Sequence, residues 1–346
     1  MLVQAGSRSC AIDGADDGRI ATLPVLVLNV HSRCNCRCVM CDIWKRESTN
    51  EVTVADLERH RESMRRLRVE HVVLTGGEPL MLHDLSRLCT FFRELDIRLT
   101  LLTTGLLLER RALDVSAAFD DVIVSIDGPP EIHDAIRRVK GGYDLIRRGV
   151  AAVRQLRPDL RITARSTVQK LNHSCLRQTA VNAKELDLNA ISFLAADLTS
   201  QAFNRPLPWP AERRSEVGLS AQETDALAQE VEQLITWAAQ PGNRGFVSES
   251  AAKLRGLVLH FRGYLGQAGF VAPRCNAPWV SAVIEVDGTV RPCFFHRPFG
   301  DIRQQSLEEV VNGEAAGAFR RSLDVPNNPV CQRCVCSLYL DETSRP

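Results

Sequence analysis

The cysteines constrain this chain more than any other feature. Four fall within eight residues, at Cys34, Cys36, Cys38 and Cys41, and five more stand near the far end, at Cys275, Cys293, Cys331, Cys334 and Cys336. Only Cys10, Cys89 and Cys175 stand alone, as small apolar core residues or idle thiols. Two dense groups flanking a long middle section predict two metal sites in two structural units. Charge adds an exclusion: 43 Lys and Arg against 42 Asp and Glu leave a net +1, with no electrostatic case for nucleic acid or an anionic membrane. The first 24 residues contain Asp13, Asp16 and Asp17 and no continuous apolar segment, so neither a signal peptide nor a membrane span is expected. The expected setting is cytoplasmic and reducing, where thiols hold metal or stay free.

Between the two groups, short apolar runs alternate with amphipathic stretches. Strands are expected from Val25, at His71–Leu74, Arg98–Thr103, Asp121–Ile126, Arg161–Val168 and Ala190–Leu194. Helices are expected over Val54–Leu67 behind Thr53 as N-cap, Leu82–Leu95, Tyr143–Leu156 and Ser174–Leu186. Strands separated by helices imply parallel βα units, so the expected class is α/β, a partial (β/α)6 TIM-like barrel with its chemistry at the C-terminal strand ends. Arg205–Pro210 holds three prolines and is expected to be a linker. Ser220 and Glu223 form a capping-box pattern ahead of one helix, and a second helix is expected near Ser248–Phe261. The boundaries that follow are a tail (1–23), the barrel (24–205), a linker with helices packed on the barrel (206–262) and a small α+β auxiliary module with a β-hairpin (263–346).

Cys34, Cys38 and Cys41 form CxxxCxxC directly after the first strand. Three thiolates at that spacing suit three irons of a cubane and leave the fourth iron open, while zinc with His31 or Cys36 as fourth ligand is the alternative. Thr75-Gly76-Gly77-Glu78-Pro79, Thr103-Thr104-Gly105 and Ser125-Ile126-Asp127-Gly128 then end successive strands. Two glycines allow close backbone approach to a ligand, and Glu78 offers a carboxylate to an ammonium group.

In these motifs the chain resembles the radical S-adenosylmethionine (SAM) superfamily over residues 24–205. The resemblance implies that Cys34, Cys38 and Cys41 ligate a [4Fe–4S] cluster whose open iron is chelated by SAM. It places Gly76 and Gly77 around the methionine moiety, with Glu78 receiving its ammonium group and Pro79 among the cofactor-binding residues. Thr104, Ser125 and Asp127 become candidates for the ribose and carboxylate contacts. Arg165 is a candidate for the SAM carboxylate, against the alternative of a solvated strand-edge arginine. Met40 stands where an aromatic residue often lies against adenine, and Cys36 stands where an aliphatic residue is usual, as a passenger beside the cluster.

Near the C-terminus, Cys275 is followed after twelve residues by Gly288 and after four more by Cys293, and the chain returns with Cys331-Gln-Arg-Cys334. Ser281–Val286 and Thr289–Phe295 read as a hairpin turning at Asp287-Gly288, and Ser306 with Glu309 caps a short helix. Four such thiolates suit a zinc ribbon or an iron–sulfur cluster. The pattern resembles the twitch module, a shortened SPASM domain found after the barrel in many radical SAM enzymes. It implies one auxiliary [4Fe–4S] cluster on Cys275, Cys293, Cys331 and Cys334, with Cys336 as an alternative ligand.

The implied activity is reductive cleavage of SAM to a 5′-deoxyadenosyl radical that abstracts hydrogen from substrate. The auxiliary cluster would relay an electron, and an external donor of flavodoxin or ferredoxin type would supply the first. Net oxidation is favoured, with decarboxylation or rearrangement as redox-neutral outcomes. The expected substrate is a polar small metabolite such as a sugar, nucleoside or aminocyclitol, faced by Asp197, Asn204, Arg205, His296 and Arg297. A stretch of about 24 residues before the first strand is short for a fused peptide-recognition domain, which sets maturation of a ribosomal peptide second. A zinc-binding protein without catalysis is the rival from another class.

Overall fold

The computed structural model describes residues 17–341. Cys10 and the first sixteen residues of the expected tail lie outside the described residues. The expected strands all form: β1 (Val25–His31), β2 (His71–Gly76), β3 (Arg98–Thr103), β4 (Asp121–Ser125), β5 (Arg161–Val168) and β6 (Ala190–Ala195). They pair in sequence order, each parallel to the next. Parallel strands are covered on both faces, which is why β2 reads as His-Val-Val-Leu-Thr with every one of those residues buried.

The C-terminal segment joins this sheet. Its first strand, β7 (Ser281–Ile284), runs parallel to β1 with Val25 opposite Ser281, and β8 (Thr289–Arg291) and β9 (Gly300–Asp301) add antiparallel beyond it. The final order is β6-β5-β4-β3-β2-β1-β7-β8-β9, a nine-stranded open sheet. The hairpin turns at Gly288, at φ +88°, as the Asp-Gly dipeptide predicts. Its arms are shorter than expected because the chain leaves β8 after Arg291 and returns as β9. At the other edge, Ile191 bridges Val247 and donates to the Phe246 carbonyl, so β6 is partly covered.

Among the helices, α1 (Val54–Glu58) and α2 (Arg61–Arg66) replace the single expected one. The capping box on Thr53 is present, but the helix breaks at His60, which is buried and accepts from the Leu307 amide. The stretch expected from Leu82 starts later as α3 (Leu85–Arg93), because Pro79–Met81 forms a separate 3-10 turn. Among the helices without a counterpart in the sequence reading are α4 (Ala112–Ala118) and α5 (Pro130–Arg137). Then come α6 (Gly142–Leu156), α7 (Leu176–Glu185), α8 (Ala211–Val217), α9 (Ala221–Ala239) and α10 (Ala251–Tyr264), with α9 starting at the Ser220–Glu223 capping box. Arg205–Pro210 forms no regular element, yet Arg205 and Trp209 within it are buried, so the segment is packed rather than loose.

Candidate active site

Six parallel strands bring their C-terminal ends to one side, where open α/β sheets place ligands. A cavity of about 260 Å³ lies there, and Cys34, Cys38 and Cys41 all line it. The loop that carries them is fixed mainly by backbone bonds. Gly77 and Glu78 donate to the carbonyls of His31 and Arg33 at 2.8 and 2.9 Å. A Cβ on Gly77 would stand 1.9 Å from the Arg33 carbonyl oxygen, so only glycine permits this approach. From the other side, the last carbonyls of α5, orphaned as at any helix end, accept from the loop: Arg37 and Val39 donate to Arg137 and Ile136 at 3.2 and 3.0 Å.

Of the residues expected to contact SAM, Met40, Gly76, Gly77, Thr104, Ser125 and Arg165 line the cavity. Met40 also takes a 3.5 Å contact on its sulfur from the Gln169 amide. Arg165 donates to Ser192 at 3.3 Å and is half-buried, so it is not a solvated edge arginine.

Three of the expected residues do not line the cavity. The Glu78 side chain is 0% exposed and accepts from the Thr103 hydroxyl at 2.6 Å and from the Thr104 and Leu80 amides at 2.7 and 3.0 Å. Burial pushes its pKa up, and the carboxylate braces the end of β3 rather than facing the cavity. Pro79, buried at the start of the 3-10 turn, does not line the cavity either. Asp127 is also 0% exposed and turned inward: it pairs with Arg137 at 2.5 Å and accepts from the Thr167 amide at 2.8 Å. Each carboxylate follows a strand as the motif requires, but neighbouring donors capture it.

Arg137 is the residue that sequence reasoning missed. It lines the cavity, and its Nη1 donates to Cys38 Sγ at 3.6 Å. The neighbouring Cys36 thiol and this guanidinium lower the Cys38 pKa to about 7, against the opposing effect of burial, which pushes Cys41 up to about 12. Cys36 is buried and does not line the cavity. His31 is held between the Arg33 amide at 3.0 Å and Glu51 at 3.2 Å. Among the described residues no three His, Cys, Asp or Glu side chains converge on a single metal-ion position.

The far wall of the cavity comes from Phe203 and Asn204 and from the C-terminal segment, with Glu285, Phe294, Val335 and Cys336. Phe203 stacks on Phe294 at 6.1 Å. Glu285 accepts from Asn29 at 2.7 Å, and Arg46 donates to Asn204 at 3.3 Å. Asp197 and Arg205, expected to meet a ligand, pair with each other at 2.7 Å, and Arg205 also holds the Met40 carbonyl at 3.0 Å. Burial lowers the Arg205 pKa. His296 contacts Cys331 Sγ at 3.4 Å, while Arg297 is exposed. Behind this wall the remaining thiols gather. Cys293 is within electrostatic reach of Cys275 and Cys331, and Cys334 of Cys336, Cys293 and Cys275. Burial pushes Cys293 up to about 12 and Cys331 to about 11, the direction expected for thiols enclosed without a cation.

Two family models match the chain. The radical SAM superfamily model covers residues 28–180, and the SPASM iron–sulfur cluster-binding domain covers residues 275–335, from Cys275 past Cys334. The chain thus carries a radical SAM domain. A SPASM or twitch domain forms its C-terminal part, and the two matched domains are those that bind SAM with a [4Fe–4S] cluster and auxiliary iron–sulfur clusters. Among sequence relatives, the AdoMet-dependent heme synthase of Methanosarcina barkeri is 27% identical over 84% of this chain and 82% of its own length. The pre-heme d1 synthase of Dinoroseobacter shibae is 32% identical over 44% of this chain, and the match spans only 38% of that protein. Among solved structures, SuiB of Streptococcus suis bound to the precursor peptide SuiA superposes with a TM-score of 0.65 at 15% identity, covering 93% of this chain and 73% of that one. This radical SAM protein therefore has the expected open barrel, and no described helix is long and apolar enough to cross a membrane.

Proposed function

We propose that this radical SAM protein abstracts hydrogen from a polar small molecule held between its two cysteine groups. The carrying observation is that Cys34, Cys38 and Cys41 share one cavity with Glu285, Phe294, Val335 and Cys336 from the C-terminal segment. In this reading Cys34, Cys38 and Cys41 hold the open [4Fe–4S] cluster, and Cys275, Cys293, Cys331 and Cys334 hold one auxiliary cluster. When bound, the open cluster would supply one-electron reductive cleavage of SAM to methionine and a 5′-deoxyadenosyl radical. The protein's task is geometry and exclusion of water. Thr104, Ser125 and Arg165 offer polar contacts along the SAM side, and Met40 offers a polarizable face to adenine. Asn29, Arg46, Asn204 and Glu285 present donors and acceptors to hydroxyls or amines, and Phe203 with Phe294 covers an apolar face.

A fully ligated second cluster behind this wall suits electron transfer to or from the substrate, which favours net oxidation, with a flavodoxin or ferredoxin as outside donor. A second reading, modification of a ribosomal peptide, draws on the fold shared with peptide-bound SuiB. The name of the Methanosarcina relative adds tetrapyrroles to the panel worth testing.

Anaerobic purification should give brown protein with roughly eight irons per chain, as two cubanes require. With dithionite and SAM it should form 5′-deoxyadenosine, and deuterated candidates should pass label into that product. Colourless protein with stoichiometric zinc would end the radical reading. Label arriving from a peptide or a tetrapyrrole, and from no sugar or nucleoside, would replace the substrate class.

A further inference from the structure

Arg137 is buried at the end of α5 with one carboxylate, Asp127, at 2.5 Å, and it also reaches Cys38 Sγ at 3.6 Å. A buried ion pair is weak as a stabilising device, since desolvation offsets much of the attraction. Its cost points to what else the cation touches. The three thiols of the loop are not treated alike. Cys38 receives a charged donor, Cys41 receives the Ile43 amide at 3.5 Å, and Cys34 lies 4.0 Å from the neutral Asn35 amide oxygen. The loop amides of Arg37 and Val39, which would otherwise be free to donate to sulfur, are spent on α5 carbonyls. Those carbonyls bring the negative end of a helix to the loop, and Arg137 sets a positive charge against it.

We propose that Arg137, held by Asp127, is a positioning residue that raises the reduction potential of the open cluster through Cys38. A cation hydrogen-bonded to a ligating sulfur favours the reduced, more negative cluster. The inference rests on the cluster assignment above and extends it to Arg137, which stands in no motif of the SAM site, and to its partner Asp127. Asp127 acts in the opposite sense, because its charge partly cancels that of the guanidinium.

The test is an EPR-monitored redox titration of the reconstituted full chain with dithionite. The signal that changes on adding SAM marks the open cluster and separates it from the auxiliary one. Arg137→Gln should shift the reduction equilibrium about tenfold toward the oxidised form, a midpoint about 59 mV lower. Arg137→Lys should fall between Gln and wild type. Asp127→Asn should move the midpoint upward, and the auxiliary midpoint should stay fixed in all three. Opposite shifts are what a merely structural pair does not produce. Equal midpoints in all variants with full iron would overturn the proposal, as would loss of iron in both Arg137 variants. If Arg137→Gln alone fails to fold, the Lys and Asn variants decide by the sign of their shifts. A wild type without iron would remove the cluster reading itself, and metal content alone tells that failure from this one.

Discussion

The two cysteine groups are built in contrasting ways. The first sits on a loop whose amides, carbonyls and neighbouring charges are already engaged: Gly77 and Glu78 just after β2, the end of α5, and Arg205 and Arg213 on the carbonyls of Met40 and Val39. The second relies on short elements, a strand Ser281–Ile284 and a helix Pro329–Gln332, with half-buried thiols on and around them. The protein shapes the first site before any cluster binds. The second is expected to draw more of its order from what the cysteines hold, as small metal modules do.

Single cysteine changes should break this contrast most sharply. Cys38→Ala should remove about four of about eight irons and abolish formation of 5′-deoxyadenosine, whereas Cys36→Ala keeps both. Cys334→Ala should also remove about four irons but leave SAM cleavage without substrate near wild type, because sites without a shared ligand act independently. Iron analysis with product assay checks all three. Equal iron loss in the Cys36 and Cys38 variants would make Cys36 a ligand.

Gly77→Ala tests the brace rather than the ligands. Its Cβ would meet the Arg33 carbonyl, so the cysteine loop must move, at a cost of about 3 kcal/mol. Urea denaturation should show that loss together with weaker iron retention at the first site and an unchanged second cluster.

A smaller effect separates the regions by pH. Burial depresses the His71 pKa from 6.5 to about 4, and its Nε2 lies 2.8 Å from the Thr100 hydroxyl. The unfolded chain therefore binds a proton first as pH falls, so this contribution is intact above about 6.5 and is lost toward 4. Wild type should lose about 1–2 kcal/mol more than His71→Gln between pH 7 and 5, measured by chemical denaturation.

Much of this was legible in one dimension. Buried parallel strands leave continuous apolar runs, so β3 and β5 end where the sequence reading ended them, and capping boxes at Thr53, Ser220 and Ser306 mark helix starts. Side-chain direction was not legible. Glu78 and Asp127 stand in the motifs, yet whether a carboxylate faces a ligand or turns inward depends on donors 25 and 10 residues away, Thr103 and Arg137. Arg137 itself lies in a helix that the periodicity did not reveal. The same limit hid the pairing of β7 with β1, because partners so far apart in sequence leave no local trace.

That pairing makes β1 a shared beam. The strand that delivers the chain into the first cysteine loop is hydrogen-bonded along its far edge to the strand that follows Cys275. One sheet thus carries the chain into the first thiol group and away from Cys275. In the proposed reaction, an electron relayed between the two groups would cross a space framed by that pairing.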